Sequence, residues 1–244
     1  MTQTALSAYV LLNVEPELDC WDGLAASAVM KDAKLVISLT TYRSEQMDNY
    51  ADIMLPVSAF AETSGTYINN EGTVQSFAGA VAPLGETRPG WKILRVLGNY
   101  LNLEGFDYQA STDVLNEVMG KVGEIKGNNI DYWSVSSSVI SAINGLQRIS
   151  ELPMNMVDAI CRRAKALQST DNISDGAIHI NSNLAEKNQF SDGDKAQVKQ
   201  DEANVTLNVV IDDRVPDDCV MIQSAHPELV PLGPVFGTIS IAKA

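Results

Sequence analysis

The sequence predicts an α/β fold in which a Rossmann-like parallel sheet unit is followed by a small C-terminal β-barrel. Two observations predict it. The N-terminal part alternates apolar, strand-like runs with helical patterns, which is the element order of a parallel sheet. After Thr170 the pattern changes to short strand candidates separated by turn residues, which is typical of a small barrel. The 244 residues are 45% hydrophobic and 20% charged, which is a globular composition.

Three apolar runs in the first part of the chain predict three strands. The runs are continuous rather than alternating, which favours strands covered on both faces. Between the first two runs, Asp19 or Asp22 can cap a helix. The predicted strands are residues 8–13, 34–39 and 53–55, the last closed by Pro56, and the predicted helix is 21–31.

The middle of the chain begins with a segment rich in glycine and proline, residues 61–90. Its density of turn residues predicts a long, extended loop, and a loop of this length is usually functional or docks on something. Helical patterns follow it, and residues 123–150 are predicted to be mostly connection. The predicted helices are residues 91–101, 112–122 with Ser111 as N-cap, and one from Pro153 to about Gln168.

The C-terminal part, from residue 171, is predicted to form the barrel. Turn signals such as Ser191-Asp192-Gly193-Asp194 separate its strand candidates. We place a domain boundary near residue 170, which gives an α/β domain over residues 1–170 and a small β-barrel domain over residues 171–244. The four strand candidates are residues 177–181, 195–199, 205–211 and 219–223.

Charge and cysteine content exclude several classes of protein. The net charge of −14 argues against nucleic-acid binding, which needs a basic stripe. Cys20, Cys161 and Cys219 match no zinc, haem or iron–sulfur spacing, so we expect small, buried apolar side chains at these positions. No signal peptide and no run of about 20 apolar residues is visible, which predicts a chain of cytoplasmic type without a membrane span.

Candidate catalytic groups are few. The turn after the first strand holds Glu15 and Glu17, which would repel a phosphate, and it lacks a glycine-rich phosphate loop. We expect His179 to be a half-buried barrel residue, while His226 lies in a loop and is the better candidate for an exposed imidazole. Asp212, Asp213, Asp217 and Asp218 crowd one turn; a solvated hairpin tip is favoured over a weak cation site.

Two further carboxylates, Glu62 and Glu71, lie in the glycine-rich segment. They could do acid–base chemistry if the fold brought them within ~5–10 Å of each other. The simpler interpretation, which we favour, is that they accept hydrogen bonds from backbone amides of their own turns.

The segment from Ala51 to Gln75 carries a recognisable motif. It reads ADIMLP, followed by ETSGTYINNEGTVQ. It resembles the ADxxLP…E…GTxxNxEGRxQ pattern of the molybdopterin oxidoreductase superfamily, and within it the large iron–sulfur (G) subunits of the NADH–quinone oxidoreductases, respiratory complex I. The matching residues are Asp52, Pro56, Glu62, Gly65, Thr66, Asn69, Glu71, Gly72 and Gln75.

Three other stretches support the narrower resemblance. Residues 162–170 read RRAKALQST, which is similar to the RRAxxLQxT run of bacterial G subunits. Residues 88–94, RPGWKIL, resemble their RPxWKIL helix start. From Gly176 onward the chain is similar to the small barrel, of the double-psi type, that ends such subunits.

The resemblance implies a part of a larger oxidoreductase. Its complex would transfer electrons from NADH through iron–sulfur clusters to quinone, coupled to proton pumping, at the cytoplasmic face of the bacterial inner membrane. The parent subunit would bind [4Fe-4S] and [2Fe-2S] clusters in a cysteine-rich region that this sequence does not contain. We therefore expect a C-terminal scaffold portion that is inactive alone, holds no cofactor or metal, and packs against other peripheral-arm subunits.

The alternative is a fragment of a molybdopterin-dependent oxidoreductase such as a formate dehydrogenase. Two features count against it: Thr73 replaces the arginine of the pattern, and the acidic charge disfavours a multiply anionic pterin dinucleotide. The motif residues are then expected to be structural. For Arg162 and Arg163 we expect a favourable helix dipole and a surface salt bridge, with an inter-subunit contact as the alternative.

Overall fold

The computed structural model describes residues 6–123 and 144–244 in two compact units. The first unit comprises residues 1–37, 43–53 and 140–244, and the second comprises residues 38–42 and 54–139. Most of the predicted connection, residues 124–143, lies outside the described part of the chain. A boundary near residue 170 between two independently folding domains stays a prediction.

The N-terminal elements confirm the predicted order of strands and helices. A three-stranded sheet has the order β1-β2-β3, with a helical connection between β1 and β2 of the kind that parallel neighbours require. The prediction that the strands are covered on both faces of the sheet is wrong for β1. Its Tyr9 and Leu11 are buried, while Val10 and Leu12 on the other face are 52% and 42% exposed. The bounds are Ala8–Leu12 (β1), Pro16–Asp19 (α1), Gly23–Asp32 (α2), Leu35–Thr40 (β2) and Ile53–Pro56 (β3).

Asp22, one of the two caps predicted for helix α2, is the cap observed. Its carboxylate accepts a hydrogen bond from the Ala25 amide at 2.9 Å, which satisfies one of the free N–H groups of the first turn. The next residue must be glycine, because a Cβ on Gly23 would lie 2.0 Å from the Glu17 carbonyl oxygen. This close approach brings helices α1 and α2 together.

The segment predicted as a long loop contains a β-hairpin. Its two strands pair antiparallel, with Gly65 opposite Phe77 and Ile68 opposite Val74. The helices that follow are at the predicted places, but Ser111 is already helical and Ala110 is the N-cap of the second one. Asp113, in its first turn, accepts from the Gln109 and Ala110 amides. The bounds are Gly65–Ile68 (β4), Val74–Phe77 (β5), Gly90–Tyr100 (α3) and Ser111–Val122 (α4).

The helix predicted from Pro153 to Gln168 is wrong in its extent. The backbone is helical only in a 3₁₀ turn at Met154–Met156, in α5 (Ala159–Arg163) and in a 3₁₀ turn at Leu167–Ser169. Asp158 is extended, and its carboxylate accepts from the two amides that begin α5. A side chain that caps here starts a new helix, so the apolar spacing seen in the sequence does not extend across one continuous helix.

The predicted barrel is present as a seven-stranded sheet with the order β11-β6-β10-β7-β9-β8-β12. The strands at its two edges, β11 and β12, are consecutive in the chain and separated only by Ile239, so the sheet nearly closes on itself. Sequence reasoning missed one strand before residue 170, two after residue 236 and a helix. The bounds are Gln147–Ile149 (β6), Ile178–Ile180 (β7), Ser182–Asn188 (α6), Lys195–Gln200 (β8), Ala203–Ile211 (β9), Cys219–Met221 (β10), Gly237–Thr238 (β11) and Ser240–Lys243 (β12).

The barrel interior is the main hydrophobic core of the first unit. Along β8, exposed and buried side chains alternate, so that Ala196, Val198 and Gln200 point inward. Ile178 and Ile180 of β7 are fully buried. Parallel pairing of β7 with β9 and of β6 with β10 brings chain segments together that are far apart in the sequence.

We expect Ile180→Ala to lower the free energy of unfolding by about 2–5 kcal/mol, because it leaves a cavity in a fully buried site. Urea denaturation followed by circular dichroism measures this. Thr206→Ala on the exposed face of β9 is the control and should change stability by less than about 0.5 kcal/mol. Equal losses in the two variants would contradict the placement of the core.

Candidate functional site

The first unit contains a cleft of about 620 Å³ whose wall carries buried charges. Glu15 and Glu17 come from the start of the chain, and Arg162 and Arg163 come from the end of helix α5. His226 lies on the same wall. A cleft with several convergent charged groups is the first candidate for a functional site.

Four of these residues form an ion-pair network, which we call the arginine–carboxylate cluster: Glu15, Asp19, Arg162 and Arg163. Arg163 donates from both terminal nitrogens to the two carboxylate oxygens of Glu15. Arg162 Nη2 donates to Asp19 Oδ1 at 2.7 Å, and its Nε lies 3.2 Å from Glu15 Oε2. Two-pronged pairing of arginine with carboxylate is among the strongest polar contacts in proteins.

Glu15 and Arg162 form the buried centre of the cluster, which corrects the expected surface salt bridge, while Asp19 lies at its exposed edge. The side chains of Glu15 and Arg162 are 4% and 6% exposed, and that of Arg163 is 28% exposed. Helix α1 turns its acidic residues inward beneath α5, so that the arginine pair meets carboxylates from the start of the chain. The sequence held a signal for this, because Glu15, Glu17 and Asp19 crowd one turn and such a group needs cations nearby.

The cluster also fixes local backbone. Asp19 Oδ2 accepts from the Glu15 amide at 2.7 Å, across the first turn of α1. Arg162 Nη1 donates to the Met156 carbonyl, and Arg163 Nη1 donates to the Ala159 carbonyl. Asp19, Arg162 and Arg163 are therefore each held by a backbone group as well as by an ionic partner.

Glu17 lies beside the cluster without an arginine of its own. Burial raises its pKa, and the charges of Glu15 and Asp19 raise it further, while a hydrogen bond from Tyr50 lowers it. Tyr50 Oη donates to Glu17 Oε2 at 3.2 Å, and burial next to these carboxylates raises the tyrosine pKa. Burial also raises the pKa of Asp19, against the lowering effect of Arg162.

The charges of this cleft do not fit a pterin dinucleotide. Both arginines already neutralise Glu15 and Asp19, and the described part of the wall carries one further carboxylate, Glu17, and one further cation, Lys31. A multiply anionic cofactor would have to replace these carboxylates or lie against them, at a large electrostatic cost. We therefore derive no step through a pterin in this cleft.

The described part of the chain contains no group of cysteines that could bind an iron–sulfur cluster. Cys20, Cys161 and Cys219 are free thiols and half-buried rather than fully buried as predicted. Among residues 6–123 and 144–244, no three His, Cys, Asp or Glu side chains are grouped so that they could hold a metal ion.

The motif residues of the second unit build the β4–β5 hairpin and its approach. Glu62 accepts from the Ala59 amide at 3.1 Å, as predicted, whereas the Glu71 side chain is exposed in the turn. Asn69 Oδ1 accepts from the amides of Glu71 and Thr73, and Gly72 has φ of 83°. Turns of this tightness favour Asn and Gly.

The motif residues Gly65, Thr66 and Gln75 lie in the two strands of the hairpin. A Cβ on Gly65 would lie 2.8 Å from the Phe77 ring, so glycine lets the ring lie over the strand. Thr66 and Ser76 share a cross-strand hydrogen bond of 2.9 Å, and Gln75 is opposite Tyr67.

Asp52 and Pro56 frame the third strand of the N-terminal sheet. Asp52 Oδ2 accepts from the Val36 amide at 2.7 Å, and the Asp52 amide donates to the Val36 carbonyl. The Pro56 carbonyl accepts from the Arg88 amide. The hairpin residues and the arginine pair belong to different compact units.

The histidines and the aspartate-rich turn take ordinary structural partners. His179 is in β7, with its side chain 12% exposed and its Nε2 2.9 Å from Asp175 Oδ2. His226 Nδ1 accepts from the Glu228 amide at the start of a 3₁₀ turn, Pro227–Leu232. Arg214 pairs with Asp212 and lowers the pKa of that carboxyl to about 2.

Three comparisons with known proteins bear on this geometry. Residues 1–100 match the family model of the molybdopterin oxidoreductases. The superfamily resemblance of residues 51–75 is thereby confirmed. The mixed α/β fold is confirmed as well by acetylene hydratase from Pelobacter acetylenicus, which superposes with a TM-score of 0.70 at 13% identity over 97% of this chain and 44% of that chain.

Two curated relatives match shorter stretches. The mitochondrial 78 kDa subunit of the NADH–ubiquinone oxidoreductase of Candida albicans is 42% identical over 84 residues, 33% of this chain and 11% of that protein. A Staphylococcus aureus protein whose name proposes a formate dehydrogenase is 36% identical over 69 residues, 28% of this chain and 7% of that protein. The matched part is thus a small share of each relative.

We expect Arg162→Met to lower the free energy of unfolding by about 3–5 kcal/mol, because it leaves two carboxylates with less compensation in a buried site. Chemical denaturation at neutral pH measures this. Arg214→Met is the matched control, since the Arg214 side chain is 89% exposed, and it should cost no more than about 1 kcal/mol. A loss for Arg162→Met as small as that of the control would contradict the buried cluster.

We expect Glu17→Gln to stabilise the protein relative to wild type increasingly as the pH rises above the ordinary glutamate value of 4.5. The folded chain holds its proton more tightly than the unfolded chain, so ionisation of Glu17 costs folding stability above that pH. Unfolding free energies of both proteins at pH 4.5 and pH 7.5 test this. A difference between variant and wild type that is independent of pH would contradict it.

Proposed function

We propose that this chain is the C-terminal scaffold part of the G subunit of an NADH–quinone oxidoreductase. The observation that carries the proposal is the 42% identity to the 78 kDa subunit of the Candida albicans enzyme. The whole complex would transfer electrons from NADH through iron–sulfur clusters to quinone and translocate protons. The [4Fe-4S] and [2Fe-2S] clusters would be held elsewhere in the parent subunit, and this part would be inactive alone.

The site chemistry supports a structural role for this part. The arginine–carboxylate cluster satisfies its own charges, so neither of its arginines is available to an anionic cofactor, and Lys31 is the one further cation that the described residues contribute to the cleft wall. We also propose that the motif residues of the hairpin serve the fold, as does the arginine pair. Their turn-closing and cross-strand hydrogen bonds support this.

The second unit supports assembly with other subunits. Helices α3 and α4 bury none of their large apolar side chains among the described residues. Tyr100 is 82% exposed and Leu101 is 62% exposed at the end of α3, and Val118 is 48% exposed on α4. Apolar surface of this kind marks an interface, and we propose that other peripheral-arm subunits cover it at the cytoplasmic face of the membrane. No helix in the described ranges is both long and apolar enough to cross a bilayer.

A fragment of a molybdopterin-dependent oxidoreductase is the second candidate. The 36% identity to the Staphylococcus aureus protein favours it. The two candidates differ in cofactor. The parent of a complex I subunit would carry iron but no molybdenum, and a formate dehydrogenase would release a fluorescent pterin on denaturation.

We expect less than ~0.1 equivalent of iron or molybdenum in the purified chain, because the described residues offer no ligand set. Elemental analysis by mass spectrometry measures both. Either metal near one equivalent would overturn the scaffold role. In the isolated parent enzyme, pterin fluorescence after denaturation would favour the second candidate, and its absence together with iron would favour the first.

We expect Tyr100→Asp to leave the isolated chain folded and to prevent its incorporation into the assembled complex. The side chain is 82% exposed, so a charge there costs little in the free chain and much at an apolar interface. Asn99→Asp, one residue earlier and also exposed, is the control and should still assemble. Native electrophoresis of the complex decides, and comigration of both variants with the partner subunits would contradict the interface.

A further inference from the structure

Arg148 is a buried cation without an ionic partner in the described chain. It lies in the middle of β6, where it pairs with Val220 of β10 and Gly237 of β11. The residue is 2% exposed. Burial lowers the pKa of its guanidinium to about 10, and no carboxylate of residues 6–123 or 144–244 opposes that effect. Buried arginines are almost always paired with an anion, so this one is unusual.

The neutral partners of Arg148 use only one of its terminal nitrogens. Nη1 donates to Gln200 Oε1 at 3.2 Å and to the Pro234 carbonyl at 2.9 Å. The Gln200 amide is itself fixed, because its nitrogen donates to the Pro234 and Phe236 carbonyls. The guanidinium is therefore held in one place by a rigid, uncharged frame.

The other edge of the guanidinium has no acceptor among the residues that the structure describes. Nε is buried and makes no hydrogen bond to any of them. Nη2 donates to none of the residues that the structure describes. These two nitrogens form the edge that binds a carboxylate through two parallel hydrogen bonds. A buried donor such as Nε that lacks an acceptor costs folding energy, so a ligand that supplies the missing bond would be bound favourably.

A cavity of about 180 Å³ adjoins this residue. Its wall also includes Trp21 and Leu152, which are 64% and 49% exposed, and the buried side chain of Leu229. A ligand in it would find the cation at one side, apolar side chains at another, and the carboxylates of Glu17 and Asp19 on the same wall. That is the arrangement typical of a site for a small amphipathic acid.

We propose that this cavity is a binding site for a small aliphatic monocarboxylate, whose carboxylate is held by Arg148 and whose carbon chain contacts Trp21 and Leu152. Two carboxylates on the same wall, Glu17 and Asp19, select against a dianion such as phosphate. A monoanion carries half the charge of a dianion and is repelled less by Glu17, while Arg162 offsets most of the charge of Asp19. The same chemistry could be presented by a free acid or by an acidic side chain of another polypeptide.

The test is a titration of the ¹⁵N-labelled chain with butyrate, followed by NMR. We expect the Arg148 Nε–H and Trp21 indole signals to shift together and to saturate at millimolar concentration. Butyramide, which has the same shape without the charge, and inorganic phosphate should leave both signals in place. An acetylated, amidated Gly-Asp-Gly peptide in a parallel titration distinguishes an acidic side chain from a free acid as the source.

Arg148→Lys keeps the positive charge and removes the two-pronged edge, so we expect butyrate affinity to fall about tenfold or more. Glu17→Gln removes a negative charge from the wall and keeps a hydrogen-bond acceptor for Tyr50, so affinity at pH 8 should rise. This second variant keeps the proposal testable if Arg148→Lys fails to fold. Absence of any shift with both butyrate and the peptide, or equal shifts with butyramide, would overturn the proposal.

Discussion

The buried pairing of Glu15 with the arginines of α5 is the constraint on which the first unit depends. It joins the turn after β1 to a helix that follows it by 148 positions in the chain. Charges placed this deep are tolerated only when their geometry is satisfied almost completely. The cluster therefore demands that α1, α5 and the turns around them each be formed correctly before any of the charges is buried.

The same pairing explains why the arginines of this cleft are not available to a ligand. Arg162 and Arg163 pair with Asp19 and Glu15 instead of with an anionic ligand, and these pairs hold two distant parts of the chain together. The second polar feature of the unit behaves in the opposite way. Arg148 lies among neutral carbonyl and amide groups, which orient the guanidinium, and none of the described residues supplies a carboxylate to compensate its charge. Within the described residues, the arginines of the cluster are thus paired with carboxylates, whereas Arg148 has only neutral partners.

The limits of sequence reasoning follow from the range of the interactions. Strands β1 to β3 and helices α2 to α4 could be predicted, since apolar spacing and local caps such as Asp22 determine them. The hairpin that begins at Gly65 could not be predicted. Its apolar side chains are exposed, and the need for glycine at position 65 comes from the ring of Phe77, which lies on the opposite strand. The partners of Arg162 and Arg163 could not be identified, since no local pattern links them to Glu15. Strand β6 was missed for the same reason: its neighbours β10 and β11 lie far along the chain.

The closure of the barrel by β11 and β12 has a consequence for biosynthesis. Strand β6 appears early in the barrel segment, yet one of its two neighbours is β11, and β12 completes the opposite edge against β8. During translation, β6 and β8 are therefore exposed as open strand edges until residues 237–243 have left the ribosome. Open strand edges can pair with other chains and cause aggregation. A nascent chain therefore most needs a chaperone to cover these edges in the interval between the synthesis of β8 and that of β12.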